Sequence, residues 1–517
     1  MNNIKKLGLV FSGVKLPFFA FAGSTAAYYG FAPVYSAGNP ARALLPAALL
    51  LTAALSLLRV MYSIRISGFD GYCLKKAFIA GIFFTTGFAL GIACRGAANR
   101  AYYLFPGLET DNIIAVSGRL LDDPRNTATG RGMALLKLSA SHGKQGIRAS
   151  ARGKTMVFFP EGSIPRLKEF GRGSEIYIEG NFLKTDGSNY GKTPMFRAKS
   201  VHVTRPASRF EELRTGIRLA LIDAFSPGDV SGRGKDWGGL ALALLLGIRD
   251  NLDGELAEQY RNAGCSYILA LSGMHLAIVS SIIAFFLKKP LGLRPAAAVG
   301  IIFILVYVFL VGAQPSLTRA AIMYVLGAIA ILCALPVNPA LLLGFSFIIQ
   351  ILAQPDSGDT VSFVLSYLAL AGILSLGQGT AELFRGRLPD FISSPLSASL
   401  GAFLGTMAVS VLFFGSLRPA GIAAGLVMVP LTTVFMIGAM AYLPLRFVAP
   451  PLAALLGRGL EFVYLALERI TSVAGRFPGI LFSNVPVIVL ISIIIPIVML
   501  FICKIIYRKR IYLEKFA

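Results

Sequence analysis

Residues 296–335 read AAAVGIIFILVYVFLVGAQPSLTRAAIMYVLGAIAILCAL, which is two apolar runs separated by a short polar break. Each run is close to the roughly twenty residues that a helix needs to cross a bilayer. The break contains Pro315, and Arg319 lies about one helical turn inside the second run. An ionisable side chain at membrane depth is costly and by default indicates function. The stretch therefore predicts two membrane helices that meet at a polar, functional turn.

The whole chain has the composition of a polytopic membrane protein. Of its 517 residues, 55% are hydrophobic and 15% are charged, whereas soluble domains have about 25% charged residues. Charged side chains interrupt one candidate span, 448–470. We predict an α-helical membrane protein with roughly 10–12 spans. Besides 296–313 and 317–335, the candidate spans are 7–35, 41–61, 77–94, 264–288, 339–354, 360–377, 394–415, 419–443, 448–470 and 485–507.

Basic residues predict the orientation of the chain, because Lys and Arg accumulate in cytoplasmic loops. Asp70 is the single acidic residue in the loop after the second run, beside the basic residues Arg59, Arg65, Lys75 and Lys76. The C-terminal end is also basic, with Lys504 and residues 508–510. The first run is predicted to be an uncleaved anchor. We expect cytoplasmic N- and C-termini, an extracytoplasmic segment at 100–206, and a multi-pass protein of the cell inner (plasma) membrane.

The segment from about 108 to 206 has the pattern of a small all-β domain. Five short runs rich in β-branched or aromatic residues alternate with Gly, Pro, Asn and Asp clusters. Five strands in about a hundred residues predict a barrel, with an OB-fold as the first candidate and an SH3-like barrel as the alternative. The predicted strands are Ile113–Leu121, Met133–Ser139, Thr155–Phe159, Ser174–Leu183 and Met195–Thr204.

Charge in this β-domain favours a polyanionic ligand. Between Asp111 and Arg205 there are sixteen Lys and Arg and eight Asp and Glu, a net charge of +8. The accumulation of Lys and Arg in cytoplasmic loops does not explain this excess of basic residues, because the domain is predicted to be extracytoplasmic. Basic and aromatic residues together are typical of single-stranded nucleic acid binding; anionic lipid headgroups and the absence of a ligand are the alternatives. The candidate residues are Lys137, Lys144, Arg148, Arg152, Lys154, Phe158 and Tyr177.

Two further segments complete a four-part division of the chain. Phe210–Phe225 is amphipathic and predicts an interfacial helix, and the ten apolar residues Gly238–Gly247 predict a half-helix or re-entrant element. The predicted parts are N-terminal membrane helices at 1–100, the extracytoplasmic β-domain at 106–206, amphipathic and re-entrant helices at 207–262, and a transmembrane bundle at 263–510.

Several enzyme classes lack their motifs here. The three histidines form no metal-binding pattern, and the five cysteines form no C-x-x-C pair, which argues against a metallohydrolase centre, a zinc knuckle and a disulfide framework. Gly191-Lys192-Thr193 lacks the upstream glycine of a phosphate-binding loop. We expect neither a cofactor nor a nucleotide-driven motor in this chain.

Polar and ionisable residues interrupt the apolar runs in a few short stretches. Breaks at Gly and Pro expose backbone groups that solvate ions within membrane proteins, although an ordinary helix end or interhelical hydrogen bond also explains each stretch. We predict that these residues line or shape a polar path. The candidates are Arg249, Asp250, Ser272, Gly273, His275, Gln314, Pro315, Ser316, Arg319, Ser362 and Ser366.

These stretches, in their order and spacing, resemble the ComEC family of competence proteins. NAGCSYILALSGMH is similar to the family's Ser-Gly-Leu-His region, and GAQPSLTRAAIM is similar to its Pro-Ser-x-x-Arg-Ala pattern. ALLLGIRD and the stretch that begins SFVLSYLAL after Val361 are also similar to family segments. The matching stretches are Asn262–His275, Gly312–Met323, 243–250 and Ser362–Leu370.

The resemblance implies a channel for single-stranded DNA in natural transformation, not an enzyme. A cytoplasmic ATPase or helicase and a separate nuclease would then act in trans, with membrane lipid and possible homo-oligomer contacts. The chain departs from the family at Tyr267, where a histidine is usual, at Ile248, where Asp is common, and at Gly425, where Asn is frequent. It is also expected to lack the C-terminal β-lactamase-like nuclease domain of many members.

Two other functions stay open at this point. A membrane enzyme acting on a lipid-linked or surface-polymer substrate would use His275 with Asp250 or Asp253 as acid and base. A small-molecule transporter coupled to an ion would use the β-domain for docking, although such folds usually contain an inverted repeat.

Overall fold

The computed structural model describes residues 16–30, 71–102, 109–126, 131–160, 171–183, 194–225 and 237–481, with three isolated residues beyond them. The predicted span 41–61 lies outside the described residues, and so does nearly all of 485–507. The chain forms two compact units. The β-unit comprises Gly96–Gly254 with Phe309–Gly312, and the membrane unit comprises Met1–Arg95, Glu255–Val308 and Ala313–Ala517.

Helices dominate the described residues. In chain order they are α1 Leu16–Gly30, α2 Gly71–Tyr102, α3 Arg209–Phe225, α4 Trp237–Leu246, α5 Gly254–Asn262, α6 Ser266–Leu269, α7 Gly273–Leu291, α8 Leu293–Val311, α9 Pro315–Leu332, α10 Pro339–Ala353, α11 Val361–Gly372, α12 Gln378–Phe384, α13 Asp390–Phe414, α14 Ala420–Val448 and α15 Pro450–Gly475. A 3₁₀ turn, Pro355–Asp359, precedes α11, and a π-helical turn, Ile373–Gly377, joins α11 to α12.

The β-unit contains seven strands: β1 Ile113–Leu120, β2 Arg125–Asn126, β3 Gly132–Gly143, β4 Arg148–Ser150, β5 Lys154–Phe159, β6 Glu175–Phe182 and β7 Met195–Arg205. The five longest close into a ring of pairs. β1 pairs with β3 and β6, β6 with β7, and β3 with β5, all antiparallel, while β5 and β7 pair in parallel. The separate β-domain is therefore confirmed, whereas its assignment to the OB-fold stays a prediction.

Alternation along each strand explains this ring. Val116, Leu136, Ile176, Ile178 and Phe196 are fully buried and form a single core with their neighbours. The residues between them point away from that core, because successive side chains of a strand point to opposite faces. A closed ring also pairs both edges of every long strand, which removes an exposed backbone edge.

Helix α3 coincides with the predicted amphipathic helix, and its polar face is the buried one. Arg214 is 2% exposed, whereas Leu213 is 64% exposed and Ile217 is also exposed. An arginine leaves water at low cost only if its charge and its donors are paired, and Arg214 meets that condition, as described below. The exposed apolar face suits a helix at a membrane surface.

The described residues include seven helices that are long and apolar enough to cross a membrane. They are α7, α8, α9, the continuous helix Val361–Phe384, α13, α14 and α15. The chain is therefore a multi-pass membrane protein, as the composition predicts. Residues 450–470 of the interrupted run 448–470 are helical within α15. Because α10 has only 15 residues, it extends about 22 Å, which is short of a bilayer core.

The predicted span 264–288 is interrupted where the Ser-Gly step predicts a break. The chain forms the short helix α6, breaks at Ala270–Ser272 and restarts as α7 at Gly273. The backbone of Ala270 and Ser272 is extended. The break arises because Ser272 hydrogen-bonds locally and caps the following helix instead of continuing the preceding one.

Candidate functional site

The start of α7 is built by Ser272 and His275. The Ser272 hydroxyl accepts a hydrogen bond from the Met274 amide at 3.3 Å. The Ser272 amide donates to Nδ1 of His275 at 3.2 Å, and the Ser272 hydroxyl also lies 3.0 Å from Nδ1. This is a capping box in which histidine replaces the usual glutamate. The sequence pattern Ser-Gly-Met-His therefore encodes a helix start in the interior of the membrane unit.

The capping box also fixes the tautomer of His275. Nδ1 accepts a hydrogen bond, so the proton of the neutral ring is on Nε2. His275 is 0% exposed, and its Nε2 has no hydrogen-bond partner within the described part of the chain. A buried donor without a partner costs free energy. His275 thus presents an available N–H group inside the protein.

Arg319 joins three helices. It is 8% exposed, its Nη1 donates to the carbonyl of Ser366 on α11, and its guanidinium lies 5.8 Å from the ring centroid of Tyr367. A Cβ placed at Gly273 would lie 3.2 Å from Nη2 of Arg319. The guanidinium of α9 therefore packs against the start of α7, where the residue without a side chain leaves room for it.

A second layer of polar side chains supports this contact. Gln350 on α10 donates to the Pro315 carbonyl at 2.9 Å, and the Tyr367 hydroxyl donates to Gln350 Oε1 at 2.9 Å. The same hydroxyl lies 3.3 Å from Ser346 Oγ. The path residues predicted from the sequence do not include Ser346, Gln350 or Tyr367. A buried amide inside the apolar run of α10 is the signal that identifies Gln350.

The structure brings together most of the predicted path residues of the membrane unit. Ser316 and Ser362 have their hydroxyl oxygens 3.2 Å apart, and Gln314 precedes Pro315, the first residue of α9, without capping it by its side chain. We define the helix-start cluster as the residues at the starts of α7, α9 and α11 that are in contact through Arg319. Its predicted members are Ser272, Gly273, His275, Pro315, Ser316, Arg319, Ser362 and Ser366.

Arg249 and Asp250 belong to the β-unit instead, where they follow α4. Burial, and secondarily the positive charge of Arg125, lower the pKa of Arg249 below the usual arginine value. The structure therefore does not group these two residues with the helix-start cluster. Their predicted role in a polar path stays a prediction.

The helix-start cluster contains buried hydrogen-bond donors that are not satisfied by any residue that the structure describes. Nε of Arg319 and Nε2 of His275 are buried and have no partner among the described residues. The first turns of α7 and α9 add backbone amides and the positive ends of two helix dipoles. Such a combination stabilises an anion rather than a cation. In the described ranges, no group of three or more His, Cys, Asp or Glu residues is placed to hold a metal ion.

The turn before α11 is held by residues from the first two described helices. Arg95 of α2 pairs with Asp359 at 2.6 Å and lies 5.3 Å from the Tyr28 ring centroid. The Tyr28 hydroxyl donates to the Pro355 carbonyl, and the Tyr29 hydroxyl donates to the Gly358 carbonyl at 2.8 Å. These contacts fix the 3₁₀ turn from which the helix carrying Ser362 and Ser366 begins.

The turn before α9 is held by arginines of α3, within the β-unit. Arg214 Nε donates to the Phe309 carbonyl at 2.7 Å, and Arg218 Nη1 donates to the carbonyls of Leu310 and Val311 at 3.0 and 3.3 Å. These carbonyls are at the end of α8, where the helix itself supplies no donor. The arginines therefore satisfy the backbone immediately before Gly312.

Asp123 balances the charge of these arginines. It accepts two hydrogen bonds from Arg214, at 3.0 and 2.7 Å, and lies 3.5 Å from Arg218 Nε. Burial alone raises the pKa of Asp123, but the hydrogen bonds from Arg214 and the charge of Arg218 outweigh that effect and hold the pKa below its usual value. A buried, bidentate pair of this kind is far more sensitive to loss of one partner than a surface pair.

Two departures from the family pattern are in direct contact. A Cβ at Gly425 would lie 2.4 Å from the hydroxyl oxygen of Tyr267 and 3.7 Å from Cζ. The phenol therefore occupies the space that any side chain at position 425 would need. In this chain, the absence of a side chain at Gly425 therefore leaves room for the Tyr267 hydroxyl.

The seven basic and aromatic candidates of the β-unit do not form one patch. Lys137 on β3 is directly opposite Lys154 on β5. Phe158, also on β5, is opposite Met133 and Arg197, whereas Tyr177 is on β6. Lys144, Arg148 and Arg152 are exposed near the end of β3 and around β4. The predicted set therefore covers several parts of the surface.

Comparison with known proteins identifies relatives of this chain. The model of the Competence protein family matches residues 244–508. The chain is 27% identical over 201 residues to ComE operon protein 3 of Bacillus subtilis (strain 168), which is 38% of this chain and 25% of that protein. It is 27% identical over 323 residues to an uncharacterized protein of Aquifex aeolicus (strain VF5), which is 60% of this chain and 73% of that protein.

Replacing Arg214 by Gln should destabilise the folded protein by about 2 kcal/mol or more, because the partly buried carboxylate of Asp123 loses its bidentate partner and the Phe309 carbonyl loses its donor. The midpoint of thermal unfolding of the purified full chain measures this effect. The control is Arg261→Gln, which removes an exposed pair with Glu258 at 3.3 Å and should cost less than about 1 kcal/mol. Equal unfolding midpoints for the two variants would contradict the prediction that the Arg214–Asp123 pair stabilises the fold more than an exposed ion pair does.

The pH dependence of the Arg214→Gln variant provides a second check. Since the pKa of Asp123 is lowered in the folded protein, its stabilising contribution is present at neutral pH and is lost as the pH falls through the folded-state pKa. The difference in midpoint between wild type and variant should therefore shrink in acid. A difference that stays constant down to strongly acidic pH would argue against an ionised Asp123.

Gly425→Ala should destabilise the membrane unit by about 1 kcal/mol, the low end of the cost of overpacking, because the tip of the Tyr267 side chain must move. In the Tyr267→Phe background the same substitution should be nearly neutral, because the nearest ring atom is then at 3.7 Å. Unfolding midpoints of the two single variants and the double variant measure the coupling. Additive effects would show that the tyrosine hydroxyl does not occupy the space above Gly425.

Proposed function

Because the chain belongs to the Competence protein family, we propose that it takes part in DNA uptake during natural transformation, as an inner-membrane channel for single-stranded DNA. The seven candidate spans support a role within the membrane. The observation that carries the proposal is the helix-start cluster, in which Arg319 connects α7, α9 and α11. It combines an arginine, buried N–H donors and two helix starts within an otherwise apolar bundle.

This chemistry fits a phosphate-bearing substrate. A conducting path must bind each charged group strongly enough to admit it and weakly enough to release it. Arg319 already donates to the Ser366 carbonyl and packs near the Tyr367 ring, so part of its donor capacity is in use. The remaining donors of Arg319 and His275, with the amides at the helix starts, can interact with a passing phosphate without forming a permanent ion pair.

We assign His275 a positioning role rather than an acid–base role. Its Nδ1 is engaged in the cap of α7, where the ring holds the start of that helix. The chain has no phosphate-binding loop in its sequence. Transport by this chain therefore relies on a cytoplasmic ATPase or helicase, and on a separate nuclease that makes the single strand.

The β-unit is proposed to receive the DNA on the extracytoplasmic side. Its net charge of +8 between Asp111 and Arg205 favours a polyanion through phosphate neutralisation. The orientation follows from the basic loops that flank the spans, which place both termini in the cytoplasm. Anionic lipid remains the competing ligand for this surface, and a homo-oligomer is compatible with the proposal.

Arg319→Ala should abolish DNA uptake without loss of the protein from the membrane, because it removes the cation that connects the three helices. The measurement is transformation frequency in a host that carries only the variant, together with the amount of the chain in isolated membranes. Arg387→Ala is the matched control, since Arg387 is exposed in the turn after α12 and donates to the Leu383 carbonyl of that helix. Normal transformation by the Arg319→Ala variant would contradict the channel assignment.

A further inference from the structure

Three rings lie side by side on the outer face of the β-unit. Tyr177 on β6 is directly opposite His202 on β7, and the ring of His142 on β3 packs edge-on against the Tyr177 ring with centroids 5.0 Å apart. Strand β1 lies between β3 and β6, and its Ser117 is directly opposite Tyr177. Nε2 of His142 lies 2.9 Å from the Ser117 hydroxyl. The small serine lets the imidazole reach across β1 to the phenol.

This row of His142, Ser117, Tyr177 and His202 faces away from the core. The residues on either side of Tyr177, Ile176 and Ile178, are fully buried, as is Val116 beside Ser117. Val201 and Val203 pack against the same core on either side of His202, and His202 itself is exposed. Alternation along the strands therefore places the rings on the surface. Two of the three histidines of the whole chain are in this row.

Three basic residues border the row on one side. On β1, Arg119 lies two residues beyond Ser117, about 7 Å along the strand. Arg119 is opposite Lys137 on β3, and Lys137 is opposite Lys154 on β5. On β6, Glu175 is opposite Arg119 on this side of Tyr177, and Glu179 lies on the other side, where it accepts a hydrogen bond from Ser200 at 2.6 Å. The three cations therefore outnumber the single carboxylate on the side of Arg119.

We propose that the His142–Tyr177–His202 row is a stacking platform for the bases of a single-stranded nucleic acid, with the phosphates running along Arg119, Lys137 and Lys154. The inference rests on the proposed function and specifies the surface that receives the strand. Aromatic faces bind every base, and nearby Lys and Arg neutralise the backbone.

The state of His142 agrees with a stacking role. Burial against the sheet, and secondarily the positive charge of Arg148, lower the pKa of His142 below the usual histidine value. The ring is therefore neutral at physiological pH and contributes its surface rather than a charge. Arg148, directly opposite His142 on β4, extends the platform with a planar guanidinium that also stacks on bases.

Phe158 provides a matched control for this surface. It is also a half-buried aromatic residue of the β-unit, but its cross-strand neighbours are Met133 and Arg197. It therefore lies outside the row of rings. If any aromatic residue of the unit were sufficient for binding, Phe158 and Tyr177 would contribute equally.

The test uses the full chain in nanodiscs of phosphatidylcholine, which is zwitterionic and leaves the anionic-lipid alternative aside. The probes are a fluorescein-labelled oligothymidylate of about 12 nucleotides and an abasic strand of the same length. Fluorescence anisotropy across a salt series gives the affinity and its salt dependence. Tyr177→Ala should weaken oligothymidylate binding about tenfold without changing the salt slope or the affinity for the abasic strand.

Three variants make the result specific. Tyr177→Phe keeps the ring and should bind as wild type. His202→Ala truncates an exposed side chain, so it should weaken binding severalfold without disturbing the fold. Lys137→Gln should weaken both strands and reduce the salt slope by about one. Phe158→Ala should weaken binding less than Tyr177→Ala does, because Phe158 lies outside the row of rings.

The outcomes separate this inference from the proposed function. If wild type binds the oligonucleotide but Tyr177→Ala and His202→Ala bind equally well, the platform is wrong and DNA reception by another face of the unit stands. Loss of binding in Phe158→Ala would locate that face on β5. If wild type binds neither strand even at low salt, both the platform and the proposed role of the β-unit fail.

Discussion

A backbone amide or carbonyl that loses its helical partner inside a bilayer must find another donor or acceptor, and this constraint governs the polar part of the molecule. Every helix restart in the membrane unit creates such groups. At α7 the Ser272 and His275 side chains satisfy them locally. At the end of α8 the carbonyls of residues 309–311 are satisfied by Arg214 and Arg218. Before α11 the carbonyls of Pro355 and Gly358 are satisfied by two tyrosines.

The sequence predicts where helices restart better than it predicts which side chains satisfy the backbone groups at each restart. Pro315 and the Ser-Gly step at 272–273 are local signals, and the structure starts helices at or next to them. A helix break indicates that a backbone group needs another hydrogen-bond partner, but the residue that supplies the donor is distant in the sequence. Arg95 and Asp359 are 264 positions apart, and Tyr28 and Pro355 are 327 apart. Only the folded chain reveals such pairs, because nothing in the local sequence specifies a distant partner.

The same distinction explains the β-unit and the Tyr267–Gly425 contact. Alternation gives five strands close to their observed bounds, since the signal has a period of two residues. The register between strands is a different matter. The platform row requires that Tyr177 be opposite both Ser117 and His202, and a shift of one residue would send these side chains to the core. The basic composition therefore predicts a ligand-binding surface, but it does not show which residues lie together. The pairing of the strands separates residues such as Phe158 from the platform row.

Five side chains that hydrogen-bond or pair with the turns before α9 and α11 lie outside residues 244–508, the part of the chain that matches the family model. Tyr28, Tyr29, Arg95, Arg214 and Arg218 all precede residue 244, yet they hold the turns from which α9 and α11 begin. Arg319 is on α9, and Ser366 is on α11. A bundle reduced to the matched region would retain every residue of the helix-start cluster but would leave five carbonyls before these helices without those donors. The helices α1 and α2 are therefore structural components of the membrane unit, because they complete the turn from which the helix that carries Ser366 begins.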